Sequence, residues 1–157
     1  MTRFQCVAIP SATAARWRAT GRDDRGLELH RRVVDGPGFP CRHCLQLGEA
    51  GEEMLLGSYA LPHPLDAYWT PSPIFLHARD CARFEAVEEI APIVLANALV
   101  SVRSYDAAEL CLYDLGVVAP GAEVAPLLER ALADPRTRWI NIHTARPGCL
   151  LTAVEKL

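Results

Sequence analysis

The sequence predicts an α+β fold with a mainly antiparallel sheet and two or three helices. Two observations predict this class. Short strand-like segments follow one another in hairpin order, and the helical segments do not alternate strictly with them. In addition, the sequence contains no G-x-G-x-x-G motif, no P-loop and no G-x-S-x-G motif. The length of 157 residues favours a single domain that spans residues 1–157.

The first half of the chain is predicted to hold one helix and several short strands. The predicted strands cover residues 4–9, 27–34, 53–59 and 74–76. Around the third of these, Gly48, Gly51 and Gly57 indicate a turn and a bulge. Ser11 is expected to cap a helix that ends at Gly21. Four prolines make residues 61–73 an irregular loop.

The second half is predicted to hold a hairpin, an amphipathic helix and two further strands. The predicted strands cover residues 99–105, 110–118, 139–142 and 150–154. The first two form the hairpin, which turns through residues 106–108. Residues 123–132 place apolar side chains on one face of a helix that ends before Pro135.

The composition is that of an ordinary globular protein, with 50% hydrophobic and 22% charged residues. Residues 1–10 lack the basic and apolar regions of a signal peptide. The longest mostly apolar stretch, residues 90–102, is too short to span a bilayer. We therefore expect a soluble, cytoplasmic protein. Six cysteines in that compartment favour metal binding or free thiols over a disulfide framework.

The net charge of −3 is unevenly distributed along the chain. Residues 1–50 hold eight arginines and five acids, whereas residues 51–157 hold eight basic residues and fourteen acids. Acids are interleaved with the arginines of the first segment, and aromatic residues are not. This pattern favours a solvated face of mixed charge over nucleic-acid binding, and it leaves a protein or a small molecule as the expected partner.

Two pairs of soft ligands predict a metal site. Cys41 and Cys44 form a C-x2-C pair, which a turn rich in glycine and proline precedes. His77 and Cys81 form an H-x3-C pair, with His77 at the end of a strand and residues 80–84 as the first turn of a helix. Cys41, Cys44, His77 and Cys81 are thus predicted to bind zinc in a treble-clef-like zinc knuckle.

The cysteine pair has two other interpretations. It could be a redox pair, or two ordinary buried thiols. A thioredoxin-like redox pair follows a buried strand and opens a helix, whereas Gly-Pro-Gly-Phe-Pro precedes Cys41. The presence of both ligand pairs favours zinc.

The role of the metal depends on the fourth ligand. If Cys81 binds, the tetrahedron is closed and zinc is structural, while Arg42, His43 and Asp80 only surround it. His77 would then give its second ring N–H to a carbonyl, a carboxylate or water, and Asp80 and Asp66 are candidate partners. If Cys81 points away, the metal keeps an open position, and His43 and Asp80 become candidates for acid–base catalysis in a zinc-dependent enzyme.

Residues 141–149 form a second segment with chemical character. Arg146, beside a tight Pro-Gly turn, is a candidate anion-binding residue, with Cys149 and His143 nearby. An arginine in such a turn can also serve as a structural clamp on backbone carbonyls or on a carboxylate. A third interpretation is a metal-free enzyme with Cys149 as nucleophile and His143 as base.

Three short motifs resemble those of domain of unknown function 1203, a family of small bacterial proteins. They are Phe-Pro-Cys-Arg-His-Cys-Leu at residues 39–45, Pro-Ile-Phe-Leu-His-Ala at 73–78 together with Cys81, and the Ala-Arg and Gly-Cys of 145–149. The order of the motifs covers nearly the whole chain. The resemblance implies a complete bacterial protein and carries no established activity. The function predicted overall is a small zinc-binding protein with a mainly structural metal, acting as a binding or interaction module.

Overall fold

The computed structural model describes residues 2–157, which form eight strands and three α-helices. The strands are β1 (Phe4–Val7), β2 (His30–Val33), β3 (Glu53–Tyr59), β4 (Ser72–His77), β5 (Val100–Tyr105), β6 (Val117–Ala119), β7 (Trp139–Thr144) and β8 (Leu150–Lys156). The helices are α1 (Ser11–Thr20), α2 (Pro92–Leu95) and α3 (Val124–Ala133). The named strands all pair antiparallel, so the predicted α+β class is confirmed. Within residues 2–157, no helix has the length and apolar character needed to cross a membrane.

Five strands form the larger sheet, in the order β1-β8-β7-β5-β6. Its central strand β7 is buried on both faces, as its apolar and β-branched sequence favours. Helix α3 buries one apolar face in the same core as Ile140 and Ile142 of β7. The buried residues of this helix face are Val124, Leu128, Ala131 and Leu132. A register shift beside His143, where β7 pairs with β8, precedes the turn that joins the two strands.

Strands β2, β3 and β4 form a second sheet in that order. Helix α1 covers it, and the fully buried Trp17 shares a core with Met54 and Ile74. The bulge expected at Gly57 is wrong, because β3 pairs with β4 without interruption through this residue. A glycine is needed there for another reason. A Cβ atom at Gly57 would lie 2.5 Å from a side-chain methyl group of Leu29.

The segment around Cys41 joins the two sheets. Cys41 belongs to the core beneath α1, whereas Leu45 belongs to the core beneath α3. The backbone of Arg42 donates to the carbonyl of Phe75 in β4 at 3.0 Å and accepts from the amide of Ile9, after β1, at 3.0 Å. Residues 41–45 are therefore held by elements of both sheets, and their conformation depends on the assembled fold.

Helix α1 begins differently from the prediction. The N-cap residue is Pro10, and no side chain caps the helix. The hydroxyl of Ser11 instead lies 2.9 Å from Nε2 of His43, so its hydrogen bond goes to a neighbouring segment. The predicted end is confirmed, because Gly21 adopts the left-handed conformation with φ 65°.

The helical turn predicted at residues 80–84 is wrong, because these residues have no regular secondary structure. Their hydrogen bonds go to other segments. The amide of Phe84 donates to the carbonyl of His43 at 2.9 Å, and the guanidinium of Arg83 donates to the carbonyls of Ala8 and Ile9. These tertiary hydrogen bonds replace the local hydrogen bonds of a helix. Because the expected helix is missing at residues 80–84, a treble-clef arrangement is not confirmed.

The predicted hairpin is present, but its second strand is short. Strand β6 pairs with β5, and the residues before it form a 3-10 turn at Tyr113–Leu115. The short helix α2 was not predicted, although Pro92 at its first position is a typical start signal.

Candidate metal centre

The four predicted ligands lie together. The ligand atoms of Cys41, Cys44, His77 and Cys81 are all within 4.8 Å of one another. The sulfur atoms of Cys41 and Cys81 are 3.9 Å apart, and the sulfur of Cys44 is 3.5 Å from Nδ1 of His77. The cluster of three thiols and one imidazole could hold a metal ion.

Local structure explains how each ligand is positioned. Cys41 and Cys44 lie on one tight turn, in which the amide of Leu45 donates to the carbonyl of Cys41 at 2.9 Å. His77 is the last residue of β4, and its amide points at the sulfur of Cys41 from 3.4 Å. An amide donor of this kind spreads the charge of a thiolate. Cys81 follows on the irregular segment after β4.

One side of the cluster faces solvent. Cys41 and His77 are buried, whereas Cys44 and Cys81 are half-buried. An open cavity of about 560 Å³ lies against Cys44, His77 and Cys81. Through this opening a metal ion could reach the cluster.

Glu52 orients the ring of His77. Nε2 of His77 lies 3.1 Å from a carboxylate oxygen of Glu52, which leaves Nδ1 facing the sulfur atoms. The amide of Glu49 and the guanidinium of Arg79 both donate to this carboxylate at 2.8 Å, and these bonds lower the pKa of Glu52 to about 2. An ionised carboxylate that accepts the second ring N–H is a common partner of a metal-binding histidine. The expected partners Asp80 and Asp66 are therefore wrong.

Cys81 is surrounded by hydrogen-bond donors. Nη2 of Arg18 lies 3.3 Å from its sulfur, and Nε of Arg18 donates to the carbonyl of His77 at 3.1 Å. Nδ1 of His43 lies 3.2 Å from the same sulfur. Both groups would stabilise a thiolate at Cys81. His43 thus contacts a ligand, and its other ring nitrogen is engaged by the hydroxyl of Ser11.

Asp80 lies outside the cluster. Its side chain is 98% exposed, and it forms an ion pair of 3.3 Å with Arg18. The same carboxylate accepts the amide of Cys81 at 3.1 Å. Asp80 thus fixes the backbone and Arg18 beside the cluster, with its carboxylate in solvent.

The three thiols influence one another strongly. The pKa of Cys41 is lowered, because the thiols of Cys44 and Cys81 both hydrogen-bond to it. The pKa values of Cys44 and Cys81 are raised, first by that bond to Cys41 and then by burial. Three adjacent thiolates repel one another, so full ionisation of the cluster requires a bound cation.

Only two of the three residues of the predicted anion site, Arg146, Cys149 and His143, lie at the same cavity. Arg146 is exposed, Cys149 is half-buried, and both line a cavity of about 460 Å³ between the two sheets. His143 is buried behind the turn, where its Nδ1 lies 2.9 Å from the carbonyl of Gly148. Burial lowers the pKa of His143 to about 4, so its ring is neutral and supports the turn. Among the hydrogen bonds of residues 2–157 there is none between His143 and Cys149, which a nucleophile–base pair requires.

Arg42 belongs to this second cavity and not to the opening beside the cluster. Its side chain is buried. Nε donates to the carbonyl of Leu150 and Nη1 donates to the carbonyl of Pro40, both at 2.6 Å. Burial lowers the pKa of Arg42 to about 10, which leaves it charged at neutral pH. In the C-x2-C turn, the two cysteine side chains therefore lie in the cluster, whereas the side chain of Arg42 lies between the two sheets.

Three features of the cluster were missed by sequence reasoning: Glu52, Arg18 and the bond between Ser11 and His43. The signal for Glu52 is its position just before a strand that pairs with the strand of His77. Arg18 carries no local signal, because it is one of many arginines in the first fifty residues.

Together, the fold and the cluster define an α+β protein with a three-cysteine, one-histidine group suited to a metal ion. The chain belongs to the family described as Protein of unknown function (DUF1203), whose model matches residues 38–156. This confirms the resemblance seen in the motifs. The matched range includes all four candidate ligands and Arg42, whereas Ser11 and Arg18 lie before it. Comparison with curated proteins finds no match, and comparison with solved structures finds none.

Proposed function

We propose that the cluster of Cys41, Cys44, His77 and Cys81 binds one Zn²⁺ ion, that the zinc is mainly structural, and that the chain is a binding or interaction module. The observation that carries this proposal is the spacing of the ligand atoms. Tetrahedral zinc, with bonds of about 2.3 Å to sulfur and 2.0–2.1 Å to nitrogen, sets ligand sulfurs about 3.8 Å apart and a sulfur–nitrogen pair about 3.5 Å apart. The corresponding distances here are 3.9 Å and 3.5 Å.

The donor set favours zinc over other common ions. Thiolate and imidazole in a tetrahedral arrangement suit Zn²⁺, whereas Mg²⁺ and Ca²⁺ require six or more oxygen ligands. Three thiolates and a neutral imidazole leave the loaded site with one net negative charge. Arg18, which donates to the sulfur of Cys81 at 3.3 Å, offsets part of that charge.

The position of the cluster supports a structural role. Its two cysteines on the 41–44 turn lie where the two sheets meet, His77 is the last residue of β4, and Cys81 follows that strand. A metal ion would fix this junction, and its binding energy would add to the folding energy. All six cysteines are free, which supports a reducing compartment such as the cytoplasm as the location.

The alternative is a zinc-dependent enzyme, and the opening beside Cys44 and Cys81 is the observation in its favour. That function would require one ligand to be exchangeable for water. Both ring nitrogens of His43 are engaged, and the carboxylate of Asp80 is in solvent. Neither predicted acid–base residue is therefore free to act at the metal, so we favour the structural role.

Elemental analysis of protein never exposed to a chelator tests the proposal. We expect about one zinc per chain. Well under half an equivalent, which reconstitution with zinc fails to raise, would contradict it.

A further inference from the structure

The cavity between the two sheets has the size of a small-molecule site. Its volume of about 460 Å³ falls within the roughly 300–1,000 Å³ that is typical of ligand pockets. Strand β4 supplies Phe75 on one side, and the segments around Leu99 and Cys149 supply the other. Most of its surface is apolar, so it suits a ligand with an apolar body.

Arg42 brings a buried positive charge to this cavity. The residue is only 3% exposed, and its Nε and Nη1 atoms donate to backbone carbonyls. Its Nη2 atom has no hydrogen-bond partner among residues 2–157, and no carboxylate of those residues forms an ion pair with Arg42. Buried charges in proteins are almost always paired, because an unpaired one loses its hydration without compensation. Arg42 lines the cavity and its Nη2 atom is not fully enclosed by protein, so an anion that enters from the cavity can reach the free edge of this guanidinium.

A second arginine lies at the mouth of the cavity. Arg146 is exposed on the turn after β7, and it forms no ion pair within residues 2–157. This turn is well fixed, since the amide of Thr144 donates to the carbonyl of Cys149 at 2.8 Å, and the amide of Cys149 donates to the hydroxyl of Thr144 at 3.0 Å. Arg146 is thus placed to attract an anion towards Arg42.

We propose that this cavity binds a small organic carboxylate, with the carboxylate on Arg42 and the apolar body against Phe75 and Leu99. The planar guanidinium matches a carboxylate, and a single buried cation neutralises a single negative charge. Inorganic phosphate exists at neutral pH as a mixture of monoanion and dianion and has no apolar body, so it would bring excess charge into apolar surroundings. The inference rests on the proposed binding role of the chain and names its ligand class.

The test is a titration of the zinc-loaded, ¹⁵N-labelled full chain with benzoate, followed by amide chemical shifts. We expect saturable shifts at Phe75, Leu99 and Cys149. Benzamide, a neutral molecule of nearly the same shape, should bind at least tenfold more weakly, because it lacks the charge-assisted bond to Arg42. Equal binding of both probes, absence of saturable shifts, or preferential binding of inorganic phosphate would each overturn the proposal.

Variants locate the site. Arg42→Lys keeps the charge and loses the planar donor edge, so benzoate should bind roughly tenfold more weakly. Arg146→Ala should weaken binding a few-fold and reduce its salt dependence. Unchanged affinity in both variants would overturn the assignment.

Because Arg42 also holds two carbonyls, its variant could fail to fold, and the wild-type protein offers a second measurement. Cys149 lines the cavity, whereas Cys111 is also half-buried but does not line the cavity. Benzoate should slow the alkylation of Cys149 by iodoacetamide and leave Cys111 unaffected. Equal rates with and without benzoate at Cys149 would overturn the proposal.

The zinc content of the same sample separates the two proposals. A full equivalent of zinc without benzoate binding would overturn only the proposed carboxylate site. Benzoate binding in protein that takes up no zinc would overturn only the proposed role of zinc.

Discussion

Replacing one metal ligand should destabilise the fold much more than replacing other cysteines. In Cys44→Ser, a half-buried thiolate 3.5 Å from Nδ1 of His77 becomes a hydroxyl, which binds zinc poorly at neutral pH. Cys44 lies in the turn that joins the two sheets, so loss of the metal bond also loosens that junction. The expected result is a lower melting temperature of the zinc-loaded protein.

The size of the effect follows from the binding energy of a structural zinc ion. Such sites have apparent binding free energies of about 10–16 kcal/mol, shared among four ligands, so one thiolate accounts for roughly 2.5–4 kcal/mol. For a chain of this length, 1 kcal/mol corresponds to about 2–4 °C in melting temperature. Cys44→Ser should therefore melt roughly 5–16 °C below the wild type.

The assay is thermal unfolding followed by circular dichroism, with zinc content measured on each sample. Cys111→Ser is the matched control, because Cys111 is also half-buried and contacts no other candidate ligand. It should shift melting by no more than a few degrees. Cys6→Ser buries a hydroxyl in a core and should fall between the two. Similar melting temperatures for all three variants would refute the reasoning.

Four further substitutions test individual contacts, two beside the cysteine–histidine cluster and two elsewhere in the fold. Glu52→Gln removes the carboxylate that orients His77 and should weaken zinc affinity roughly tenfold or more in a chelator competition. Asp80→Asn makes the same chemical change on a 98% exposed side chain, whose bonds to Arg18 and to the amide of Cys81 are screened by solvent, so it should lower affinity much less; equal effects would contradict the role of Glu52. The pKa of His143 is about 4 in the folded state, below its unfolded value of about 6.5. As the pH falls from about 6.5 to about 4, the unfolded state therefore binds the proton first, and the free energy of unfolding should decrease by up to ~3 kcal/mol. His143→Asn should flatten that part of the profile, and an unchanged slope would disprove the assignment. Gly57→Ala places a Cβ 2.5 Å from Leu29 and should cost about 1–3 kcal/mol with zinc content intact; a neutral effect on melting would show that the packing there relaxes.

The clustering of the four candidate metal ligands was predictable because each pair is local. Cys41 and Cys44 are three residues apart, and His77 and Cys81 are four apart, so spacing alone places each pair on one side of a short segment. Strands β7 and β8 were predictable for the same reason, since apolar and β-branched residues are concentrated within a few positions.

The surroundings of the ligands were not predictable, because they depend on distant segments. Glu52 reaches His77 only through the pairing of β3 with β4, and Arg18 reaches Cys81 across sixty-three positions of sequence. Residues 80–84 have an acceptable helical pattern, yet they form tertiary hydrogen bonds instead. Ser11 is a good capping residue, but His43 takes its hydroxyl.

The direction of Arg42 is the clearest example of this limit. Its position between two ligands made it a neighbour of the metal in sequence terms. The side chain of Arg42 instead lies on the other side of the turn. The parallel bridge between Cys41 and Phe75 and the hydrogen bond to the carbonyl of Leu150 hold it there. Only the packing of the two sheets decides which cavity it enters.

The visible spectrum of the cobalt-substituted protein tests the closed, structural metal site most directly. Cobalt takes the place of zinc with the same ligands and reports its coordination. We expect the intense absorption of a four-coordinate, thiolate-rich site, unchanged by azide or cyanide at concentrations that leave the metal bound, because Cys41, Cys44, His77 and Cys81 fill the tetrahedron. A spectrum that shifts on adding either ion would reveal an open coordination position and would contradict the structural role in favour of a hydrolytic or lyase-type enzyme.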